Sequence, residues 1–241
     1  MENPVITNVP TWKDLSQDYA DKVLSISSFP KHVREIMKHV TSGLVLDLGC
    51  GPMGNLLQEV SRVRGAIAVG VDSCPEMVIE SRKHTTASVS YVIADNRFLP
   101  FKDSVAGTVL AINSFVPETR EVAKQMFAEG VRVLRSGGHM VAVLPSFEMS
   151  LLAQQHWGME LQLDMENRRE WDTVGWQCFY TEDDIHQLMK QFGMRYATQR
   201  IIFSEPAEIE HVQRVYRLQA ASSKRLVQYP LFEHLLIAQR P

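Results

Sequence analysis

The chain has 241 residues, of which 45% are hydrophobic and 22% are charged, a composition typical of a globular protein rather than a disordered or membrane protein. The 25 Lys and Arg residues against 28 Asp and Glu give a net charge of −3, which disfavours nucleic acid as a partner. The cysteines are odd in number and widely spaced, and no stretch resembles a secretory signal or a membrane span. We therefore expect a reduced, cytoplasmic protein with no membrane partner.

The N-terminal 43 residues have apolar positions at helical spacing. Leu15, Tyr19 and Val23 are four residues apart, and a second series runs from Val33 to Val40 after Pro30, a residue suited to a helix start. The pattern predicts a helical cover over residues 1–43.

From residue 44, short apolar runs alternate with amphipathic stretches, which is typical of a parallel sheet built from βαβ units. The predicted strands are Leu44–Leu48, Ala66–Val71, Val89–Ala94, Gly107–Asn113 and Gly138–Leu144. Ser73 and Glu76 have the spacing of a helix-capping box, and a further helix is predicted from Pro117 towards Leu134. Residues 44–145 form the predicted ligand-binding core.

After the fifth predicted strand the alternation stops for about 35 residues, a length that usually marks a functional excursion. Residues 146–180 are therefore predicted to form a lid. Regular patterns return in residues 181–241. They predict a helix capped by Thr181 and Asp184, an extended run Met194–Phe203, a helix Pro206–Ala221 and a closing strand Phe232–Ala238.

The most informative motif is V-L-D-L-G-C-G-P-M-G-N, residues 45–55, in which a buried strand ends in a G-x-G-x-x-G turn before a helix. Such a turn lets the backbone approach a ligand closely. Taken alone, it also fits NAD, because Asp72 follows Gly51 by 72 − 51 = 21 residues, where an acid would hold a ribose.

The charges near the turn distinguish a dinucleotide such as NAD from a ligand without a pyrophosphate. Asp47 precedes the turn, and two like charges about 4 Å apart at an effective dielectric of 20 repel by roughly 4 kcal/mol, which disfavours a pyrophosphate. Asp95 follows the third strand, so Asp47, Asp72 and Asp95 are expected to ring the carboxyl edge of the sheet. A ring of carboxylates favours a ligand with an ammonium, a sulfonium and a sugar diol but no phosphate.

From Asp47 through Leu144 the sequence resembles the class I S-adenosylmethionine-dependent methyltransferases. The resemblance implies a Rossmann-like, doubly wound, mostly parallel seven-stranded sheet with an antiparallel last strand. It further implies that S-adenosylmethionine is the cofactor and S-adenosylhomocysteine the product. The implied cofactor residues are Asp47, Gly49, Cys50 and Gly51 at the methionine part, Asp72 at the ribose, Asp95, Asn96 and Met77 at the adenine, Asn113 beside the methyl group, and Tyr19 from the cover.

Two differences from other members of this family narrow the class of acceptor molecule. Relatives that methylate base amines or glutamine amides carry a proline pair and an aromatic residue after the fourth strand, whereas this chain has Asn113-Ser114-Phe115-Val116. The acidic trio of the metal-dependent, catechol-type relatives is also missing, so we expect no metal.

Aromatic residues in the lid and the cover, and one after the fourth predicted strand, are the predicted walls of the acceptor pocket. They are Trp12, Phe115, Phe147, Trp157, Trp171, Trp176 and Tyr180. The alternative is that the lid aromatics form a small core of their own or a dimer contact. His156 and Glu148 are the candidate general bases if the acceptor must lose a proton.

Together these features predict methyl transfer to a nitrogen or oxygen of a small, planar or aromatic metabolite by a monomer or homodimer. The alternatives are methylation of RNA or protein, and a non-catalytic cofactor-binding subunit of another enzyme. An NAD-dependent dehydrogenase is a remote third.

Overall fold

The computed structural model describes residues 9–19, 29–172, 174–215 and 228–241. The helices are α1 (Trp12–Leu15), α2 (Pro30–Met37), α3 (Asn55–Val60), α4 (Pro75–Lys83), α5 (Arg120–Val133), α6 (Phe147–Trp157), α7 (Glu182–Gln191) and α8 (Pro206–Val215). The strands are β1 (Gly43–Leu48), β2 (Ala66–Asp72), β3 (Val89–Ile93), β4 (Ala106–Ile112), β5 (Leu134–Pro145), β6 (Leu163–Asp164), β7 (Arg169–Asp172), β8 (Gly175–Cys178), β9 (Arg195–Ile202) and β10 (Phe232–Gln239).

Seven of these strands form one sheet in the order β3-β2-β1-β4-β5-β10-β9. Strands β1 to β5 pair in parallel, whereas β10 runs antiparallel to both of its neighbours, β5 and β9. The predicted Rossmann-like, mostly parallel sheet with an antiparallel last strand is confirmed. Among the described helices, none is both long and apolar enough to cross a membrane.

The central strands β1, β4 and β5 are buried on both faces near their carboxyl ends, which explains the unbroken apolar runs that predicted them. Because side chains alternate along a strand, β1 sends Val45 to one face and Leu46 to the other. Val45 packs in a cluster with Ile36 and Leu57, and Leu46 packs in a second cluster with Phe127. The pairing registers bring the carboxyl ends of the parallel strands to one edge of the sheet, and these ends carry the site.

Two predicted helix starts differ from the observed ones. Helix α4 begins at Pro75 with Cys74 as its N-cap, so Ser73 and Glu76 form no capping box. The backbone N–H of Cys74 instead donates to Asp72 Oδ1 at 2.9 Å, because that carboxylate ends β2 next to the helix start. Helix α5 begins at Arg120, three residues after Pro117, and is capped by Thr119.

The remaining predicted elements match closely within the described residues. The Thr181–Asp184 capping box of α7 is present, and strands β9 and β10 occupy the predicted extended runs. Val23 and residues 216–221 of the predicted C-terminal helix lie outside the described residues.

Residues 146–180 form a folded insertion with helix α6 and a three-stranded antiparallel sheet, β6-β7-β8. Its two ends meet at the end of β5. The backbone N–H of Tyr180 donates to Pro145 O at 2.9 Å, and that of Phe147 donates to Tyr180 O at 3.0 Å. The segment therefore leaves and rejoins the core at one place, beside the carboxyl ends of the parallel strands.

Candidate active site

A cavity of about 200 Å³ lies at the carboxyl edge of the parallel strands, next to the glycine turn that follows β1. A smaller cavity of about 30 Å³ lies along the turn itself, and Tyr19, Gly49, Gly51 and Ile112 border both. The larger cavity is lined by Trp12, Tyr19, Gly49, Gly51, Asp72, Ser73, Met77, Asp95, Asn96, Ile112, Asn113, Ser114, Val116, Pro117 and Met126. Of the ten predicted cofactor residues, eight line this cavity, while Asp47 and Cys50 line the smaller one.

The glycine turn packs against the segment that follows β4. Gly49 and Gly51 have φ angles of +71° and +58°, in the left-handed region that favours glycine. A Cβ on Gly49 would lie 2.4 Å from the Cβ of Ser114, whereas a Cβ on Gly51 would meet no atom within 4 Å. Gly49 is therefore required both by backbone conformation and by close approach, and Gly51 by conformation alone.

Asp72 connects the glycine turn to α4. Its carboxylate accepts hydrogen bonds from Gly51 N at 3.0 Å and from Cys74 N at 2.9 Å. Burial raises its pKa, and these backbone hydrogen bonds oppose the rise. Each carboxylate oxygen keeps a further lone pair, so Asp72 can also accept from a ligand in the cavity.

Asp47 is buried beneath the turn, with 4% of its surface exposed. Burial, and then the charge of Asp72, raise the pKa of Asp47 to about 7. No basic side chain of the described residues contributes to the pKa of either acid. These two carboxyls therefore form an electrostatic site that a cation would stabilise.

Asp95 differs from the other two acids of the predicted ring in having a basic partner. It lines the cavity, but its carboxylate accepts hydrogen bonds from Nε and Nη2 of Arg97, and the guanidinium lowers its pKa. Asp95 therefore lies at the predicted edge of the sheet, but its charge is already paired. A paired carboxylate can still accept from a neutral donor such as an adenine amino group.

Three side chains of the cavity wall carry buried polar atoms that have no hydrogen-bond partner among the described residues. These atoms are Asn96 Oδ1, Asn113 Oδ1 and Ser114 Oγ. Unpartnered buried acceptors are costly, so their concentration at one cavity indicates a ligand that donates hydrogen bonds. The amino groups and ribose hydroxyls of S-adenosylmethionine are such donors, so the residues present fit this cofactor.

Two aromatic residues of the N-terminal segment border the cavity. Trp12 is 37% exposed, and α1 is tied to α4 by an ion pair between Lys13 and Glu76 at 3.0 Å. Burial, and then the charges of Asp72 and other carboxylates, raise the pKa of Tyr19. The cover therefore brings two ring systems to the cavity.

Three other predicted acceptor residues lie in the hydrophobic core. Phe115 is fully buried and packs edge-to-face on Phe127 with centroids 4.8 Å apart. The hydroxyl of Tyr180 donates to Phe115 O, and Phe147 is 3% exposed. None of the three is among the residues that line the cavity.

The three lid tryptophans are also outside the cavity wall. Trp171 and Trp176 form an edge-to-face pair with centroids 5.5 Å apart on adjacent strands β7 and β8. Trp157 Nε1 donates to Tyr229 O at 3.1 Å. The structure therefore brings Trp12 to the cavity but gives the lid tryptophans contacts within the lid and to the segment before β10.

Neither predicted base reaches the cavity. His156 stacks on Tyr229, with centroids 3.8 Å apart and an interplanar angle of 8°. Burial alone would raise the pKa of Glu148, but hydrogen bonds from His234 and Ser146 lower it to about 2. A carboxylate with so low a pKa is a poor proton acceptor at neutral pH.

Sequence reasoning missed Glu233, a buried carboxyl beside the cavity. Glu233 is the second residue of β10 and accepts a hydrogen bond from Asn113 Nδ2 at 2.9 Å. The available signal was the pair Glu233-His234 inside an otherwise apolar closing strand. Because β10 is antiparallel, its first residues lie at the same edge of the sheet as the last residues of β1 to β5.

Within the described residues, no group of three or more His, Cys, Asp and Glu side chains is arranged to hold a metal ion.

Comparison with known families matches residues 45–138 to a methyltransferase domain. Among curated proteins, none matches the chain. A possible histamine N-methyltransferase from Thermotoga maritima superposes with a TM-score of 0.64 at 13% identity, covering 95% of this chain and 98% of its own. An S-adenosylmethionine-dependent methyltransferase from Methanosarcina mazei gives 0.61 at 15% identity, covering 88% and 97%. The N-methyltransferase NodS from Bradyrhizobium japonicum, in complex with S-adenosyl-L-homocysteine, gives 0.55 at 12% identity, covering 88% and 86%.

Residues 45–138 match a methyltransferase domain, and the strand order and the cavity beside the glycine turn are those of the class I S-adenosylmethionine-dependent methyltransferase fold. The matched domain is that of an enzyme, and the cavity residues fit S-adenosylmethionine as its cofactor. Identities of 12–15% to solved structures establish a shared fold and not a shared acceptor.

Proposed function

We propose that the protein transfers the methyl group of S-adenosylmethionine to a nitrogen or oxygen of a small, planar or aromatic metabolite. The observation that carries the proposal is the cavity of about 200 Å³, which is bordered by Trp12 and Tyr19 as well as by the residues that fit the cofactor. Aromatic faces favour flat ligands. A net charge of −3 offers no general attraction for RNA.

The proposed cofactor contacts follow from the donors and acceptors of the cavity. Asp47 and the turn from Gly49 to Gly51 would hold the methionine part of the cofactor. The Asp72 carboxylate would accept hydrogen bonds from the ribose hydroxyls. The adenine would lie near Met77. Its amino group would donate hydrogen bonds to the side-chain oxygens of Asp95 and Asn96. The division into a cover (1–43), a core (44–145), a lid (146–180) and a C-terminal part (181–241) remains a prediction.

When bound, the cofactor supplies a methyl group already activated by its sulfonium. The chain has to hold the acceptor in line with that group and exclude water. Trp12 and Tyr19 are placed to do both. His156 and Glu148 are engaged by Tyr229 and His234, so neither has a part in this proposal.

A transfer assay with methyl-labelled S-adenosylmethionine tests the proposal. The full chain is incubated separately with a panel of aromatic amines and phenols, with an RNA transcript and with a mixture of purified proteins. We expect label in at least one small acceptor and background label in RNA and protein. Label in RNA or protein alone would contradict the proposal. Cofactor binding with no transfer to any acceptor would also contradict it, in favour of a non-catalytic subunit.

A further inference from the structure

Glu233 is a buried carboxyl beside the cavity to which the proposed function assigns no role. It is 3% exposed. In the sheet it pairs with Pro145 at the end of β5 and with Ile201 near the end of β9. The antiparallel course of β10 therefore brings a carboxyl to the edge where the cofactor and acceptor meet.

The Glu233 side chain and Asn113 form a unit with two unused oxygens. Glu233 Oε1 accepts from Asn113 Nδ2 at 2.9 Å, whereas Glu233 Oε2 and Asn113 Oδ1 have no hydrogen-bond partner among the described residues. Because the amide nitrogen is held by Glu233, the oxygen of Asn113 is the atom left for a ligand. Asn113 lines the cavity and has a φ angle of +52°, uncommon for a residue other than glycine.

The titratable groups around this unit are acidic. Burial raises the pKa of Glu233 to about 8, with the Asn113 hydrogen bond opposing the rise and no basic side chain contributing. Besides burial, the charges of Asp72, Asp172 and Glu233 all raise the pKa of Tyr19, which borders the cavity. A positive charge in the cavity would return Glu233 to its ionised form. The cofactor has two cationic groups: the proposed contacts place its ammonium at Asp47, and its sulfonium carries the methyl group and is absent from the product S-adenosylhomocysteine.

We propose that Glu233 makes the acceptor site selective for amines. It does so by holding the Asn113 amide with Oδ1 available to the cavity and by placing a carboxylate behind that amide. The inference rests on the proposed function and narrows its acceptor atom from nitrogen or oxygen to nitrogen. An alcohol can also donate to Asn113, but only an ammonium gains from the charge of Glu233. Because an ammonium nitrogen has no lone pair, the bound amine has to release one proton to solvent before its nitrogen attacks the methyl group. Glu233 is thus a positioning residue that acts through Asn113.

Calorimetry with a matched pair of probes tests this selectivity. The full chain, saturated with S-adenosylhomocysteine, is titrated with 2-phenylethylamine and with 2-phenylethanol, which differ only in the terminal group. We expect wild-type protein to bind the amine at least tenfold more tightly than the alcohol. In Glu233→Gln the amine should weaken about tenfold and the alcohol should change less than twofold, because the side chain keeps its size and loses its charge.

Two further variants control the experiment. Glu208→Gln makes the same substitution at another buried glutamate, in α8, which is 1% exposed. Glu208 accepts hydrogen bonds from Ser204 N and Glu205 N and is not among the cavity-lining residues. This variant should therefore bind both probes like wild type. Asn113→Gly removes the amide at a position whose φ angle glycine adopts easily, and should weaken the amine as Glu233→Gln does. This second variant keeps the test valid if Glu233→Gln fails to fold.

Three results would overturn the inference: equal binding of amine and alcohol by wild type, binding of neither, or an amine preference that survives in Glu233→Gln and Asn113→Gly. Methyl transfer to phenols without an amine preference would leave the proposed function standing and remove only the role of Glu233. Transfer to no small acceptor at all would remove both.

Discussion

The glycine-turn edge and the lid are adjacent regions that use their polar and aromatic residues differently. At the edge, Asn113 Oδ1 has no hydrogen-bond partner among the described residues, and the carboxyls of Asp47 and Asp72 have raised pKa values to which no basic side chain contributes. In the lid, Trp171 and Trp176 pack on each other, and the carboxylate of Glu170 accepts from Ser150. The comparison shows that unpartnered polar atoms and carboxyls with raised pKa values, rather than aromatic content, distinguish the candidate ligand site from the lid.

The largest effect is expected where the turn meets the segment after β4. Gly49→Ala should lower the free energy of unfolding by about 3 kcal/mol, because it adds a strained φ angle and a clash with Ser114. Gly51→Ala is the matched control. It has the same strain without the clash, so it should cost only about 1 kcal/mol. Urea denaturation measures both, and equal losses would mean that the turn does not pack on Ser114 as described.

The next largest expected effect is a loss of cofactor affinity when the Asp72 carboxylate, which connects the turn to α4, is removed. Asp72→Ala should weaken S-adenosylmethionine binding about a hundredfold, since two backbone donors and the proposed ribose contacts lose a charged acceptor. The control is Asp103→Ala, an acid with 74% of its side chain exposed that pairs with Arg132. Calorimetry compares the two, and similar affinities for both variants would count against the assignment of the cofactor edge.

The pH dependence of cofactor binding should show a tenfold effect. The pKa of Asp47 is raised to about 7 in the ligand-free protein. A bound ammonium favours the ionised carboxylate, so affinity is lost as pH falls through 7. We expect S-adenosylmethionine to bind about tenfold more tightly at pH 8 than at pH 6. Asp47→Asn should bind weakly at both pH values, and an unchanged pH profile in that variant would show that another group titrates.

The smallest expected effects, those of single tryptophan substitutions, distinguish the lid from the glycine-turn edge. Trp171→Ala should lower the free energy of unfolding by about 1 kcal/mol through loss of its contact with Trp176, without changing affinity for cofactor or acceptor. Trp12→Ala, at the cavity, should weaken ligand binding several-fold with little loss of stability. If Trp171→Ala weakened acceptor binding instead, the lid would form part of the acceptor pocket after all.

The sequence predicted the strands, their class of sheet and the residues of the glycine-turn edge. This was possible because a strand end, a glycine turn and an acid at fixed spacing determine local geometry wherever they occur in a parallel sheet. Asp72 and Asn113 lie at the cavity because their strands end there. The motif could not reveal that Arg97 pairs with Asp95, since that contact depends on a side chain outside the motif.

The lid and Glu233 could not be predicted on the same basis. Composition placed tryptophans in the lid but not the direction in which each side chain points, which is decided by the pairing of β7 with β8. Glu148 met the chemical requirement for a base, but a contact with His234, 86 residues away, lowers its pKa. Glu233 reaches the site only because β10 inserts antiparallel between β5 and β9.

The most direct test of the central claim, that a carboxylate edge binds a cationic, phosphate-free methyl donor, is calorimetric titration of the purified chain with S-adenosylmethionine and NADH side by side at pH 8. We predict saturable binding of S-adenosylmethionine and no heat from NADH beyond dilution. Binding of NADH, or no response to S-adenosylmethionine at millimolar concentration, would contradict the claim.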